Sequence, residues 1–118
     1  NGLDQVYPAK NRDLQVQIAH VGLVLSEYPP ATGPQRFQFV ARNRIIAGIA
    51  HGVMVTEAEM KSGSLITANY ALQHNREVFA LPNRIDAPLG AGTNALIQAG
   101  AALVTGPETL VENLNFYP

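Results

Sequence analysis

Residues 37–48, FQFVARNRIIAG, hold the densest set of side chains able to grip an anion or a base. Phe37 and Phe39 flank Gln38, Arg42 and Arg44 flank Asn43, and Arg36 comes just before. No Asp or Glu occurs between Tyr28 and Thr56. A guanidinium pairs with phosphate oxygens, and an exposed ring beside it can stack a base. The stretch therefore reads as a phosphate- or nucleic-acid-binding edge. Arg42 and Arg44 are two apart, so on a helix they cannot share a face. One can look toward a ligand while the other pairs with an acid. Phe37 and Phe39, in an extended segment, would point the same way. The core is the ordinary place for each of these rings.

A second candidate is Ser62-Gly63-Ser64, which opens a helical pattern. A helix N-terminus offers free amides and partial positive charge, and two hydroxyls with a glycine let an oxyanion come close. The same triplet also reads as a plain serine N-cap. The run Gly90-Ala91-Gly92-Thr93-Asn94 lacks the lysine of a P-loop and the spacing of a dinucleotide fingerprint. It reads as a tight turn and helix cap, and no cofactor is expected. Glu27 and Glu57 each follow a predicted strand and are the acids placed for acid–base work. Salt bridges to Arg42 or Arg44 are the favoured account of both. His20, His51 and His74 fall at predicted helix ends, without metal-site spacing.

These residues need a scaffold, and the remaining pattern supplies one. A chain of 118 residues, 47% apolar and 14% charged, has enough apolar surface for one domain with a core. A net charge of −1 means that any anion site must be locally cationic. With no cysteine, disulfides and thiolate metal sites are excluded. No apolar run is long enough for a membrane span. Helices are predicted over residues 11–20, with Leu14, Ile18 and Val21 facing inward, and over 41–50, with Ile45, Ile46 and Ile49 packing. Others start at Ser62 (Leu65, Ala68, Tyr70, Ala71 and Leu72 packing), at residues 95–99, and after Gly106-Pro107 (Leu110, Val111 and Leu114 inward). Strands are predicted at 23–25, 53–55, 78–81 and 101–104. This alternation implies a mostly parallel α/β sheet whose ligands sit beyond the carboxyl ends of the strands. Gly2-Leu3-Asp4 reads as a loop leaving an earlier strand, as in part of a larger domain.

The runs GLDQVYP, LVLSEYPP, FQFVARNRIIAGIAHGVMVTEA, SGSLITANYAL, VFALP and GTNALIQAGAALV together resemble the DNA-processing protein A family (DprA/Smf) across nearly the whole chain. The resemblance implies the C-terminal part of a Rossmann-like domain with helices on both faces of the sheet. It implies a cytoplasmic protein that binds single-stranded DNA without catalysis, protects it in natural transformation and loads the RecA recombinase on it. It also implies a homodimer. The family's basic residue and aromatic three positions on match Arg36 and Phe39. Its dimer segment matches Asn94, Ile97 and Leu103. Arg42, Asn43, Arg44, Ser62, Gly63 and Ser64 complete the expected nucleic-acid set. The family usually has proline at Val40 and glycine at Ala31 and Asn83, and its Gly-Ser-Arg motif and upstream glycine-rich loop are not in this sequence. The domain also resembles nucleoside-monophosphate phosphoribohydrolases, in which an arginine and a glutamate, here Arg42 or Arg44 with Glu57, serve N-glycosidic cleavage. Their Pro-Gly-Gly-x-Gly-Thr motif is replaced here by Ser62-Gly63-Ser64.

Overall fold

The computed structural model describes residues 1–114. They form two compact units, Asn1–Phe39 and a second beginning at Val40.

The first unit contains a 3-10 turn, Ala9–Asn11, and helix α1, Arg12–Val21. Its loops are laced by hydrogen bonds rather than by a core. The Gly2 amide donates to the Thr32 carbonyl at 2.9 Å, and both Asp4 carboxylate oxygens accept from the Ala31 amide at 2.9 Å. A side chain on Gly2 would run into the Pro29 carbonyl, which explains the glycine. The Ala31 amide holds the Asp4 carboxyl below the ordinary carboxylate value. Ala31 itself adopts φ 68°, the left-handed region, where a Cβ is costly. The glycine usual in the family carries no such cost, so Ala31→Gly is expected to stabilise the fold by about 0.5–1 kcal/mol. A urea midpoint that stays put or falls, at constant slope, would contradict this.

Two expectations fail in this unit. Residues 23–25 form no strand, and Leu23 and Leu25 are exposed. Leu14, Ile18 and Val21 of α1 are exposed as well. A strand needs a hydrogen-bonding neighbour and an apolar face needs a covering surface. Neither is present for these residues among those described.

The second unit is a three-stranded parallel sheet in the order β1 (Gly52–Val55), β2 (Glu77–Ala80), β3 (Ala102–Leu103). Helix α3 (Gly63–Gln73) joins β1 to β2, α4 (Ala91–Gln98) joins β2 to β3, and α5 (Pro107–Leu114) follows. Register pairs Val53 with Val78 and Val55 with Ala80, so these four share one face. Val55 and Val78 pack there with Ala47, Ala58, Ala68 and Ala71. Alanines let helices approach the sheet closely. The opposite face carries Phe79, fully buried. A Cβ at Gly52 would lie 3.0 Å from the Phe79 ring and 2.9 Å from Leu114 of α5, so this face is covered too. The expected parallel sheet with helices on both faces is thus present. Leu110, Val111 and Leu114 are all partly buried, as their spacing predicts.

Helix α2, Arg36–Ile49, begins five residues before its predicted start. Gln38, itself buried, reaches back so that its side-chain oxygen accepts the Gln35 amide at 2.7 Å, satisfying a donor at the helix entrance. Val40, unlike the family's proline, keeps the amide that an unbroken helix needs. At the other end, Arg76 Nη2 donates to the Gly48 carbonyl at 2.7 Å, a cation on the helix C-terminus. The buried apolar position of α2 is Ala47, beside the buried Gln38, while Ile46 and Ile49 are exposed. On α3, Ala68 and Ala71 are buried but Leu72 is exposed, since it falls on the far side of the helix. Helix α4 starts at Ala91 rather than near Ala95, so Gly92, Thr93 and Asn94 are helical.

Candidate nucleic-acid interface

In the first unit the start of α2 presents Arg36, Phe37 and Phe39. Because this segment is helical, Phe37 and Phe39 diverge instead of pointing together, correcting the extended reading. Arg36 and Phe39, three apart, share a face. Arg36 and Phe37 are exposed, and Phe39 remains 43% exposed. The first turn of α2 has no acid, so its partial positive charge and the Arg36 guanidinium add without opposition from that turn. The Phe39 ring meets the Tyr7 ring at a centroid distance of 6.2 Å and a tilt of 56°. Sequence reading gave Tyr7 no role. Thirty-two positions separate the two rings (residues 7 and 39), and no periodicity links them.

The second unit holds the remaining expected residues. Arg42 and Arg44 are exposed in the interior of α2, not at its start, so their amides belong to the helix ladder. Arg42 Nη2 donates to Asn43 Oδ1 at 3.3 Å. Ser62 is the N-cap of α3, its hydroxyl accepting the Ser64 amide at 3.2 Å. A cleft of about 190 Å³ opens at the carboxyl end of β1, lined by Val53, Met54, Val55, Thr56, Glu57, Ser64 and Thr67. Its hydroxyls can donate to a ligand, while the Glu57 carboxylate on the same wall opposes a phosphate. Glu27, expected beside a strand end, follows the irregular 23–25 segment instead.

Asn94, Ile97 and Leu103 lie on α4 and the edge strand β3. Asn94 is engaged internally. Its Oδ1 accepts the Asn83 amide at 3.0 Å and its Nδ2 donates to the Asn83 carbonyl at 2.9 Å. Leu103 is exposed and Ile97 partly buried. Among the described residues no group of three or more His, Cys, Asp or Glu is placed to hold a metal ion, and no helix is long and apolar enough to cross a membrane.

Fold and topology define an α/β domain of Rossmann-like type with a cationic, aromatic helix start. The family model for DNA recombination-mediator protein A matches residues 1–115. Protein Smf of Synechocystis is 50% identical over 117 residues, covering 99% of this chain and 29% of that protein. The crystal structure of DNA processing protein A from Streptococcus pneumoniae superposes with a TM-score of 0.88 at 49% identity, over 98% of this chain and 41% of that one. The DNA processing protein A of Helicobacter pylori, whose single-stranded DNA binding mode has been described structurally, gives 0.82 at 34% identity, over 97% and 53%. The chain belongs to the DNA recombination-mediator protein A (DprA/Smf) family.

Proposed function

We propose that this chain is a single-stranded DNA-binding module that works in DNA processing during transformation and recombination. It acts by holding the strand rather than by catalysis. The observation that carries this reading is the exposed Arg36–Phe39 pair at an acid-free helix start. Family membership, and the DNA-binding relative from Helicobacter pylori, support it. Arg36 neutralises a phosphate and Phe39 stacks a base. Arg42, Asn43, Arg44 and Ser62-Gly63-Ser64 contribute further polar contacts. In the whole protein the bound strand is protected in the cytoplasm and passed to RecA. Two copies pair through the segment of Asn94, Ile97 and Leu103, and exposed Leu103 on a two-residue edge strand favours such pairing.

The test is a titration with oligo-dT at several salt concentrations. Arg36→Ala is expected to reduce the log–log salt slope by about 0.7. Phe39→Ala is expected to cost about 1–3 kcal/mol of binding free energy. Parent-like binding by both variants would show that the DNA site lies elsewhere.

A further inference from the structure

We propose that Tyr7 is a second base-stacking residue, so that a single strand meets a two-ring platform of Tyr7 and Phe39. This rests on the reading that Phe39 stacks a base. A tyrosine ring gains most from folding when it is buried, yet Tyr7 is 60% exposed. It is nonetheless held in place. The Gln5 amide donates to the Gly2 carbonyl at 3.1 Å before it, and the Asn11 amide donates to the Pro8 carbonyl at 3.0 Å after it. The preceding segment is tied to the 29–32 loop through Gly2–Thr32 and Asp4–Ala31. With the backbone tied on both sides of it and its ring against Phe39, Tyr7 loses little freedom when a ligand arrives.

The ring geometry decides how it is used. A centroid separation of 6.2 Å with a 56° tilt is an attractive, self-orienting contact, within the roughly 4.5–7 Å over which aromatic pairs pack. Rings this close and this inclined leave no parallel slot for a base between them. Each ring instead offers its outer face, and each takes one base. Because every base has a π-face, such a platform is tolerant of sequence. Arg36, on the Phe39 side of α2, supplies charge for the connecting phosphates.

The competing role is mechanical, with Tyr7 only bracing Phe39, and the substitutions separate the two. These 118 residues contain no tryptophan, so Tyr7→Trp adds a reporter at the platform. In the full chain, oligo-dT is expected to quench the added emission, and an abasic oligonucleotide of equal length is not. Tyr7→Leu, which keeps apolar bulk without a π-face, is expected to weaken oligo-dT binding about fivefold or more, while Tyr7→Phe stays within about twofold. Unquenched tryptophan at saturating oligo-dT overturns the proposal even if Tyr7→Leu weakens binding, because the ring then only braces Phe39. Parent-like affinity of Tyr7→Leu beside a weakened Phe39→Ala overturns it too, and leaves Phe39 as the single stacking residue. Parent-like affinity of both Tyr7→Leu and Phe39→Ala removes the Phe39 reading itself.

Discussion

Gly92→Ala is expected to lower folding stability by about 3 kcal/mol, at the upper end of overpacking costs. A Cβ at this position would lie 2.6 Å from the Ala58 carbonyl oxygen and 2.8 Å from that of Glu59. Both are backbone atoms, so neither can swing aside as a side chain would. The added methyl also strains the hydrogen bond from the Gly92 amide to the Ala58 carbonyl, now 2.7 Å. Gly63→Ala is the matched control, since a Cβ there meets nothing within 4 Å. Urea denaturation of the two variants reads the contrast. Equal midpoints would mean that α4 is not seated on the 58–59 backbone as described.

Phe79→Ala is expected to cost about 3–5 kcal/mol, the usual range for emptying a buried aromatic site. Phe79 lies on the central strand and is 1% exposed. Its ring fills the space that Gly52 leaves vacant beneath α5. Thermal or urea melting checks the loss, and a variant that melts with the parent would place this ring outside the core. Phe39→Ala, at a ring that is 43% exposed, should cost clearly less stability than Phe79→Ala while reducing DNA affinity. Two phenylalanines in one short chain thus separate folding from binding by their burial.

The second unit was largely legible in the sequence because its signals are local. Val53, Val55, Val78 and Phe79 lie in short apolar runs, Ser62 announces α3, and Pro107 announces α5. Gly100, at φ 110°, stops α4 where a glycine would be expected to. What escaped reading depends on partners distant in sequence. The start of α2 is set by Gln38 folding back on Gln35, which no apolar period reveals. Residues 23–25 have strand composition, but pairing decides a strand and no partner is described for them. The glycines near residue 90 read as loop residues, yet Gly92 lies inside α4, where its lack of a side chain lets the helix press on the 58–59 backbone. For the candidate site, the acid-free run of arginines and aromatics marks the stretch around Arg36 and Phe39 by itself, and the family resemblance picks this pair out of it. Tyr7 was not legible at all, because its relation to Phe39 exists only in three dimensions.

The stitching around the ends of β1 and β2 has a consequence for how this chain can change length. The Leu81 amide donates to Val55, the Ala58 amide to Leu89, and the Gly92 amide to Ala58, while Asn94 clamps Asn83. Two stretches, 55–58 and 81–94, are therefore locked to each other residue against residue. A single residue inserted or deleted between 89 and 92 would put the two bonds to Ala58 out of step, and the mismatch would travel into α4 and the segment that leads to β3. Variation in length at this end of the sheet is left to the exposed turn at 84–87, which none of these bonds to 55–58 crosses.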